Sequence, residues 1–149
     1  IQESVSEIIK KVLLQVSMAY QFEIPAKPGM KQVVKEEKDA GRCVVLLTTS
    51  DKSYVRPALK RTGLLSYFDA IYTAGELGMG KNGPEIFTLV CQKHGCLPQE
   101  TMVYEDAIHA VKAAKQAGCH VTAVYDESME TRWNEIKELS DAQIIHRKC

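Results

Sequence analysis

The chain has 149 residues, which is enough to bury a full core and which suggests one domain. Apolar residues make up 45% of the sequence and charged residues 26%, as in ordinary soluble globular proteins. Lys and Arg together number 19, as do Asp and Glu, so the charge does not point to a nucleic acid or an anionic membrane, and we expect neither as a partner.

Residues 4–20 form an amphipathic segment. Apolar side chains recur there at helical spacing: Val5, Ile8, Ile9, Val12, Leu13, Val16 and Tyr20. Lys10 and Lys11 interrupt the apolar run, so we expect neither a signal peptide nor a membrane span. Pro25 and Pro28 then break the helical pattern. We therefore predict a boundary here, with residues 1–24 and 25–149 as separate parts.

Helical and extended patterns alternate after this boundary. A helix is predicted from Met30 to Gly41, and the apolar run at 43–47 is typical of a parallel strand buried on both faces. A cluster of hydroxyl groups and one acid follows it: Thr48, Thr49, Ser50 and Asp51. Ser53 is predicted to cap the next helix, which ends at Gly63.

The middle of the chain continues the alternation. A short strand is predicted at 70–73, and an irregular loop with several glycines then carries Lys81. The glycine spacing matches neither the dinucleotide-binding pattern nor the P-loop. Pro84 starts a helix that ends at Gly95.

The stretch 101–118 is the most informative part of the sequence. A buried strand at 102–104 is followed directly by Glu105 and Asp106, and an Ala-rich helical pattern then runs to Gly118.

Three further elements follow: a strand at 121–125, a helix starting near Trp133, and an edge strand at 142–145. This alternation predicts an α/β fold with a doubly wound, Rossmann-like parallel sheet.

Chemically versatile side chains follow several of these strands. Ligands bind in the crevice at the carboxyl ends of parallel strands, so we expect Thr48, Lys81 and the Glu105–Asp106 pair to converge there. Adjacent carboxylates suit Mg²⁺, and a hydroxyl with an ammonium group suits a phosphoryl group. Each element also has a plainer interpretation. Thr48 could be a turn residue and Lys81 a solvated lysine. Asp106 could cap the helix beside a solvated Glu105.

Three segments resemble motifs of the haloacid dehalogenase superfamily: LLTTSD at 46–51, GKNGPEIF at 80–87 and VYEDAIHAVKAAKQAG at 103–118. The similarity is greatest to the β-phosphoglucomutase-like and phosphoglycolate phosphatase-like branch and extends over residues 24–145. It implies a Mg²⁺-dependent phosphohydrolase that acts on a small phosphorylated metabolite through an aspartyl-phosphate.

The same resemblance implies roles for individual residues. Thr48 and Lys81 would be catalytic and would bind the phosphoryl group, with Thr49 and Ser50 beside it. Glu105 and Asp106 would hold Mg²⁺, directly or through water. Residues 1–24 would be the remnant of a helical cap, and residues 25–149 an incomplete core domain.

One motif of the family is missing. Its first strand ends in DxDGT and carries the nucleophilic aspartate, but this sequence contains no DxD. The resemblance therefore implies a sheet without its first strand, which would lie between the strands at 43–47 and 102–104. Those two strands could close on each other, a second copy could fill the gap in a homodimer, or a longer gene product could supply the N-terminal segment, which is the origin we favour. Without the nucleophile no phospho-aspartate forms, so we expect this chain alone to be inactive.

Other functions are also compatible with these motifs. A catalytically inactive module that binds phosphate or Mg²⁺ and acts through association is the main alternative, and a phosphomutase is a less favoured one. A receiver-like signalling domain is disfavoured, because such domains have their acids before the hydroxyl and the lysine.

The five cysteines do not form a recognisable framework. Their number is odd and no CxxC occurs. His94 and His120 lie near some of them, but the spacing does not support a zinc site. We interpret them as buried or incidental thiols and expect a reducing, cytoplasmic location.

Overall fold

The computed structural model describes residues 25–145, in two compact units that divide between Thr73 and Ala74. The helix predicted at 4–20, and with it the proposed cap remnant at 1–24, lies outside the described residues. Within residues 25–145, every helix is too short or too polar to traverse a lipid bilayer.

The first unit is a parallel β–α–β arrangement preceded by a helix. Its elements are α1 (Met30–Asp39), β1 (Val45–Thr48), α2 (Lys52–Arg61) and β2 (Ala70–Thr73). The strands run in parallel, with Val45 opposite Ala70 and Thr48 opposite Thr73. Strand β1 begins two residues later than the predicted start at 43. Val44 lies just before it and is bonded to Asp69, whose carboxylate accepts from Val44 N and whose N–H donates to Val44 O.

The start of α2 corrects one sequence prediction. Asp51, not Ser53, is the N-cap: its backbone is extended, and its side chain accepts a hydrogen bond of 2.8 Å from Ser53 N. Ser53 lies inside the helix and supplies the donor. Both residue types favour N-cap positions, and the earlier of the two takes it here.

The second unit contains a three-stranded parallel sheet in the order β3–β4–β5. Its elements are α3 (Ala74–Leu77), α4 (Glu85–Lys93), β3 (Met102–Glu105), α5 (Ile108–Ala117), β4 (His120–Val124), α6 (Trp133–Leu139) and β5 (Ala142–Ile144). Strand β5 pairs only with β4 among the described residues, which confirms the predicted edge strand.

The core of the second unit lies around β4 and α5. Val121 and Ala123 in β4 are completely buried, as are Val111 and Ala114 in α5. Four successive buried residues at 121–124 explain why β4 reads as an apolar run without alternation, because a central strand is covered on both faces. Small alanines in α5 allow the helix to pack closely against the sheet.

The parallel strands and their helical connections confirm the predicted α/β class. No strand precedes β1 in the part of the chain that the structure describes, consistent with the missing first strand. Within residues 25–145, β1 pairs only with β2, and β3 pairs only with β4. That the strands now seen at 45–48 and 102–105 close on each other stays a prediction.

Candidate active site

The candidate site of the second unit is built at the carboxyl end of β3. Glu105 is the last residue of this strand and is 8% exposed. Its Oε1 accepts hydrogen bonds from Asp106 N at 3.0 Å and Ala107 N at 3.2 Å. Its Oε2 accepts one from Lys81 Nζ at 2.5 Å. Both carboxylate oxygens are therefore engaged, one with the backbone and one with an ammonium group.

Glu105 also organises the start of α5. The N-cap of this helix is Ala107, which has no polar side chain, and no side-chain cap is present. The Glu105 carboxylate accepts from the two N–H groups just before the helix instead. The N-cap position is held by Ala107 and not by Asp106. The plainer interpretation of Glu105 as a solvated side chain is wrong, because its carboxylate is buried.

Lys81 is not a solvated loop lysine. It lies in the loop between α3 and α4, its side chain is only 13% exposed, and it is paired with Glu105. Removing two charges from water costs several kcal/mol per ion. Their mutual attraction offsets this cost only when the geometry is good and further hydrogen bonds are made. The two backbone donors at Asp106 and Ala107 provide such further bonds. The fold therefore places Lys81 and Glu105 in a single buried ion pair.

Asp106 follows Glu105 directly and is half-buried. Among residues 25–145, no group of three or more His, Cys, Asp or Glu side chains is arranged to hold a metal ion. The donor set nevertheless fits Mg²⁺, since this ion usually takes one or two carboxylates and keeps several waters and substrate oxygens. Glu105 and Asp106 are the two adjacent carboxylates that could hold the ion.

The hydroxyl cluster of the first unit lies at the carboxyl end of β1. Thr48 is the last residue of the strand, and its Oγ1 accepts from Ser50 N at 3.1 Å. Thr48 is thus a turn residue, as the plainer interpretation has it, and an acceptor bond of this kind leaves the hydroxyl hydrogen able to donate. Thr49 is exposed and Ser50 half-buried. Thr48 and Ser50 also line a largely apolar cavity of about 210 Å³, together with Leu46 and side chains of α2.

The predicted site residues therefore form two local groups. Thr48, Thr49 and Ser50 lie in the first unit, and Lys81, Glu105 and Asp106 lie in the second. The structure brings Lys81 and Glu105 together. The convergence of the two groups on one ligand stays a prediction.

One further strand-end acid was not singled out from the sequence. Asp126 follows β4, and its side chain accepts hydrogen bonds from Ser128 N at 2.9 Å and from Ser128 Oγ. It caps the 3₁₀ turn at Glu127–Arg132. The Asp-x-Ser pattern is a visible signal for such a cap.

Comparison with known protein families identifies the family of this chain. A family model described as haloacid dehalogenase-like hydrolase matches residues 2–118. The chain belongs to the haloacid dehalogenase-like hydrolase family.

Two curated relatives show the kind of protein it resembles. The phosphorylated carbohydrates phosphatase of Thermotoga maritima is 27% identical over 118 residues, which are 79% of this chain and 55% of the relative. Hexitol phosphatase A of Escherichia coli is 33% identical over 113 residues, 76% of this chain and 52% of the relative. The chain thus spans about half the length of the curated relatives it matches.

A solved structure shares the fold. The crystal structure described as "putative beta-phosphoglucomutase from Thermotoga maritima" superposes with a TM-score of 0.82 at 24% identity and covers 97% of this chain and 67% of the other. This confirms a haloacid dehalogenase-type, Rossmann-like architecture.

Proposed function

We propose that this chain is part of a Mg²⁺-dependent phosphohydrolase that removes the phosphoryl group of a small phosphorylated metabolite through an aspartyl-phosphate. The observation that carries the proposal is the buried Lys81–Glu105 pair, which lies directly before Asp106 at the carboxyl end of β3. The phosphatase names of the matched relatives support the reaction class.

Each residue has a distinct role in this proposal. Lys81 offsets negative charge on the phosphate and on the attacking carboxylate, and Glu105 holds the ammonium group in position. Thr48 donates its hydroxyl hydrogen to a phosphate oxygen, and Thr49 and Ser50 lie beside it. Glu105 and Asp106 would hold Mg²⁺, directly or through water. When bound, Mg²⁺ offsets charge on the phosphate oxygens and orients them.

The nucleophile is not provided by these residues. The sequence has six aspartates, Asp39, Asp51, Asp69, Asp106, Asp126 and Asp141, and none is followed by another Asp two positions later. Asp51, Asp69, Asp126 and Asp141 are engaged in caps or in contacts at the starts of strands. Because covalent phosphoryl transfer needs a positioned carboxylate, we expect this chain alone to bind ligands without turning them over.

The partners follow from the same argument. The ligand is a small phosphorylated molecule, and a second copy of the chain or an N-terminal segment that carries the DxDGT strand would complete the sheet. We propose a cytoplasmic location and no nucleic acid or membrane partner. A module that binds phosphate or Mg²⁺ without catalysis is the second candidate, favoured by the absence of a DxD in the sequence.

A phosphatase assay with p-nitrophenyl phosphate and Mg²⁺ tests the catalytic part. We expect no turnover by this chain. Turnover that is lost on Lys81→Ala would contradict the need for the missing nucleophile.

Calorimetric titration with Mg²⁺ tests the binding part. Asp106→Asn should abolish binding, because it removes the anionic ligand. Asp126→Asn is a matched control at the end of the neighbouring strand and should leave binding unchanged. Equal Mg²⁺ affinity of the Asp106→Asn variant and the original chain would contradict the assignment.

A further inference from the structure

Two cysteines meet at the last turn of α4. Cys91 lies in this turn and is 4% exposed, and Cys96 follows the helix and is half-buried. Gly95 has a φ of +65°, which reverses the chain, and Gly95 N and Cys96 N donate to Gln92 O and Cys91 O, each at 3.1 Å. This is the bonding pattern of a Schellman motif, in which the side chains at the positions of Cys91 and Cys96 commonly contact each other.

Thr101 gives a second, independent measure of how close the sulfurs are. Its hydroxyl donates to Leu97 O at 3.0 Å, so its hydrogen is committed and Oγ1 serves as an acceptor. Cys91 Sγ lies 3.4 Å and Cys96 Sγ 3.5 Å from this one oxygen. Cys96 Sγ also lies 3.5 Å from Cys91 O. Both thiols are therefore held around a single hydroxyl oxygen.

The chain contains its own comparison. Helix α5 ends in the same way, with Gly118 at a φ of +95° followed by Cys119, whose N–H donates to Ala114 O. At this second motif the position that corresponds to Cys91 is Ala114, so the motif does not itself bring two thiols together. The Cys119 thiol is instead a neighbour of Cys91 in the packed interior. Cys119 is 2% exposed, and burial raises the pKa of its thiol to about 12, which keeps it protonated.

We propose that Cys91 and Cys96 are a dithiol oxidation site, which a small peroxide converts reversibly to an internal disulfide. The motif holds the two backbones together through a direct hydrogen bond, as the short Cα separation of a disulfide requires. Cys96 is the more exposed of the two and reacts first, and Cys91 resolves the product.

The chemistry balances with hydrogen peroxide as the oxidant. Cys96 gives up its proton, and its sulfur attacks one peroxide oxygen. The O–O bond breaks, and the leaving hydroxide takes up that proton, so a sulfenic acid and one water form. The sulfur of Cys91 then gives up its proton and attacks the Cys96 sulfur, which releases the second water. Two thiols lose two electrons in total, and the peroxide is reduced to two waters.

Peptide mapping of the full chain tests the site. The protein is treated with hydrogen peroxide, its remaining thiols are alkylated, and the peptides are analysed by mass spectrometry. We expect a peptide in which Cys91 and Cys96 are linked, with loss of alkylation at both residues and full recovery after dithiothreitol. Cys119→Ser should keep the link, and Cys96→Ser should abolish it.

Three results would overturn the proposal. They are a link that involves Cys43, Cys119 or Cys149 instead, over-oxidation of Cys96 to a sulfinic acid with Cys91 still alkylated, and failure of the original folded chain to form any internal link. Phenylarsine oxide provides a check that does not depend on a variant that folds. It bridges two neighbouring thiols, so prior treatment of the original chain should protect Cys91 and Cys96 from alkylation and leave the exposed Cys43 reactive. Alkylation of all three would contradict the pairing.

Discussion

Two lysine–carboxylate pairs lie at opposite ends of the sheet in the second unit. In each pair the carboxylate accepts hydrogen bonds from a lysine and from the backbone. Glu105, at the carboxyl end of β3, accepts from Lys81 and from two backbone N–H groups. Asp141, at the start of β5, accepts from Lys115 and from Val121 N. The difference is burial. The side chains of Lys81 and Glu105 are 13% and 8% exposed, whereas those of Lys115 and Asp141 are 33% and 39% exposed.

The pair at Asp141 has a counterpart in the first unit. Asp69 precedes β2, pairs with Lys38, and accepts from Val44 N, and its own N–H donates to Val44 O. Asp141 N donates to Val121 O in the same way. The arrangement at the amino ends of strands is thus a repeated means of joining a strand to its neighbour. The buried pair at the carboxyl end of β3 lies where parallel sheets bind their ligands.

The largest effect is expected from breaking the buried pair. Lys81→Met leaves the Glu105 carboxylate buried without its counter-ion and should lower the free energy of unfolding by about 3–5 kcal/mol. Urea denaturation measures this change. The double variant Lys81→Met with Glu105→Gln removes both charges and should recover most of the loss. A loss in the single variant no larger than that of Lys115→Met would contradict the distinction between the two pairs.

An intermediate effect is expected in acid. The N–H of Val121 and the Lys115 ammonium hold the pKa of Asp141 below its usual value, and Lys38 and the N–H of Val44 do so for Asp69. Such groups stabilise the fold above the unfolded pKa, about 3.9 for Asp, and the contribution is lost as the pH falls through the folded pKa. Asp141→Asn should therefore flatten the dependence of stability on pH below about 3.9. Thr62→Ala, which removes hydrogen bonds to backbone carbonyls and none to a carboxylate, is a control whose profile should keep the original slope.

A comparable pH effect with the opposite sign is expected in alkali. Burial raises the pKa of Cys119 to about 12, above that of an unfolded thiol. The unfolded chain loses this proton first, so the stability is fully present below the unfolded pKa and falls as the pH rises towards the folded value. Cys119→Ala should reduce that fall, and Cys43→Ala should not, since Cys43 is exposed. Identical alkaline slopes for the original chain and the Cys119→Ala variant would disprove this contribution.

The smallest effect is expected from the solvent-exposed pair itself. Lys115→Met should cost about 0.2–1 kcal/mol, because exposed ion pairs gain little over hydration. The loss should shrink further in high salt, whereas the loss caused by Lys81→Met should not. Denaturation of both variants at low and high ionic strength checks this, and equal salt dependence would show that the two pairs do not differ in solvent access.

The sequence predicted the secondary structure better than the contacts between the side chains of the site. Periodicity identified the helix at Trp133–Leu139 and the strand at Ala70–Thr73, because spacing along the chain reports burial directly. It placed Lys81 and Glu105 at the same edge of the sheet but did not predict that they pair with each other, since they are 24 positions apart and the contact depends on the tertiary fold. The cap of α2 was predicted at Ser53 and is Asp51, two residues earlier, because both residue types suit an N-cap and only the backbone conformation distinguishes them. The Gly95–Cys96 pair was visible in the sequence, but its significance depends on Cys91 and Thr101, which only the fold places beside it.

We propose a shared role for the hydroxyl cluster after β1 and the acid–lysine group at β3 in binding one Mg²⁺ and one phosphate. Amide NMR of the full chain, titrated with Mg²⁺ and inorganic phosphate, tests it most directly. We predict saturable shifts at Thr48–Ser50, at Lys81 and at Asp106–Ala107 with one common affinity, and none at the amino-end pair of Lys115 and Asp141. Shifts confined to one of the two groups, or two unrelated affinities, would contradict a shared site.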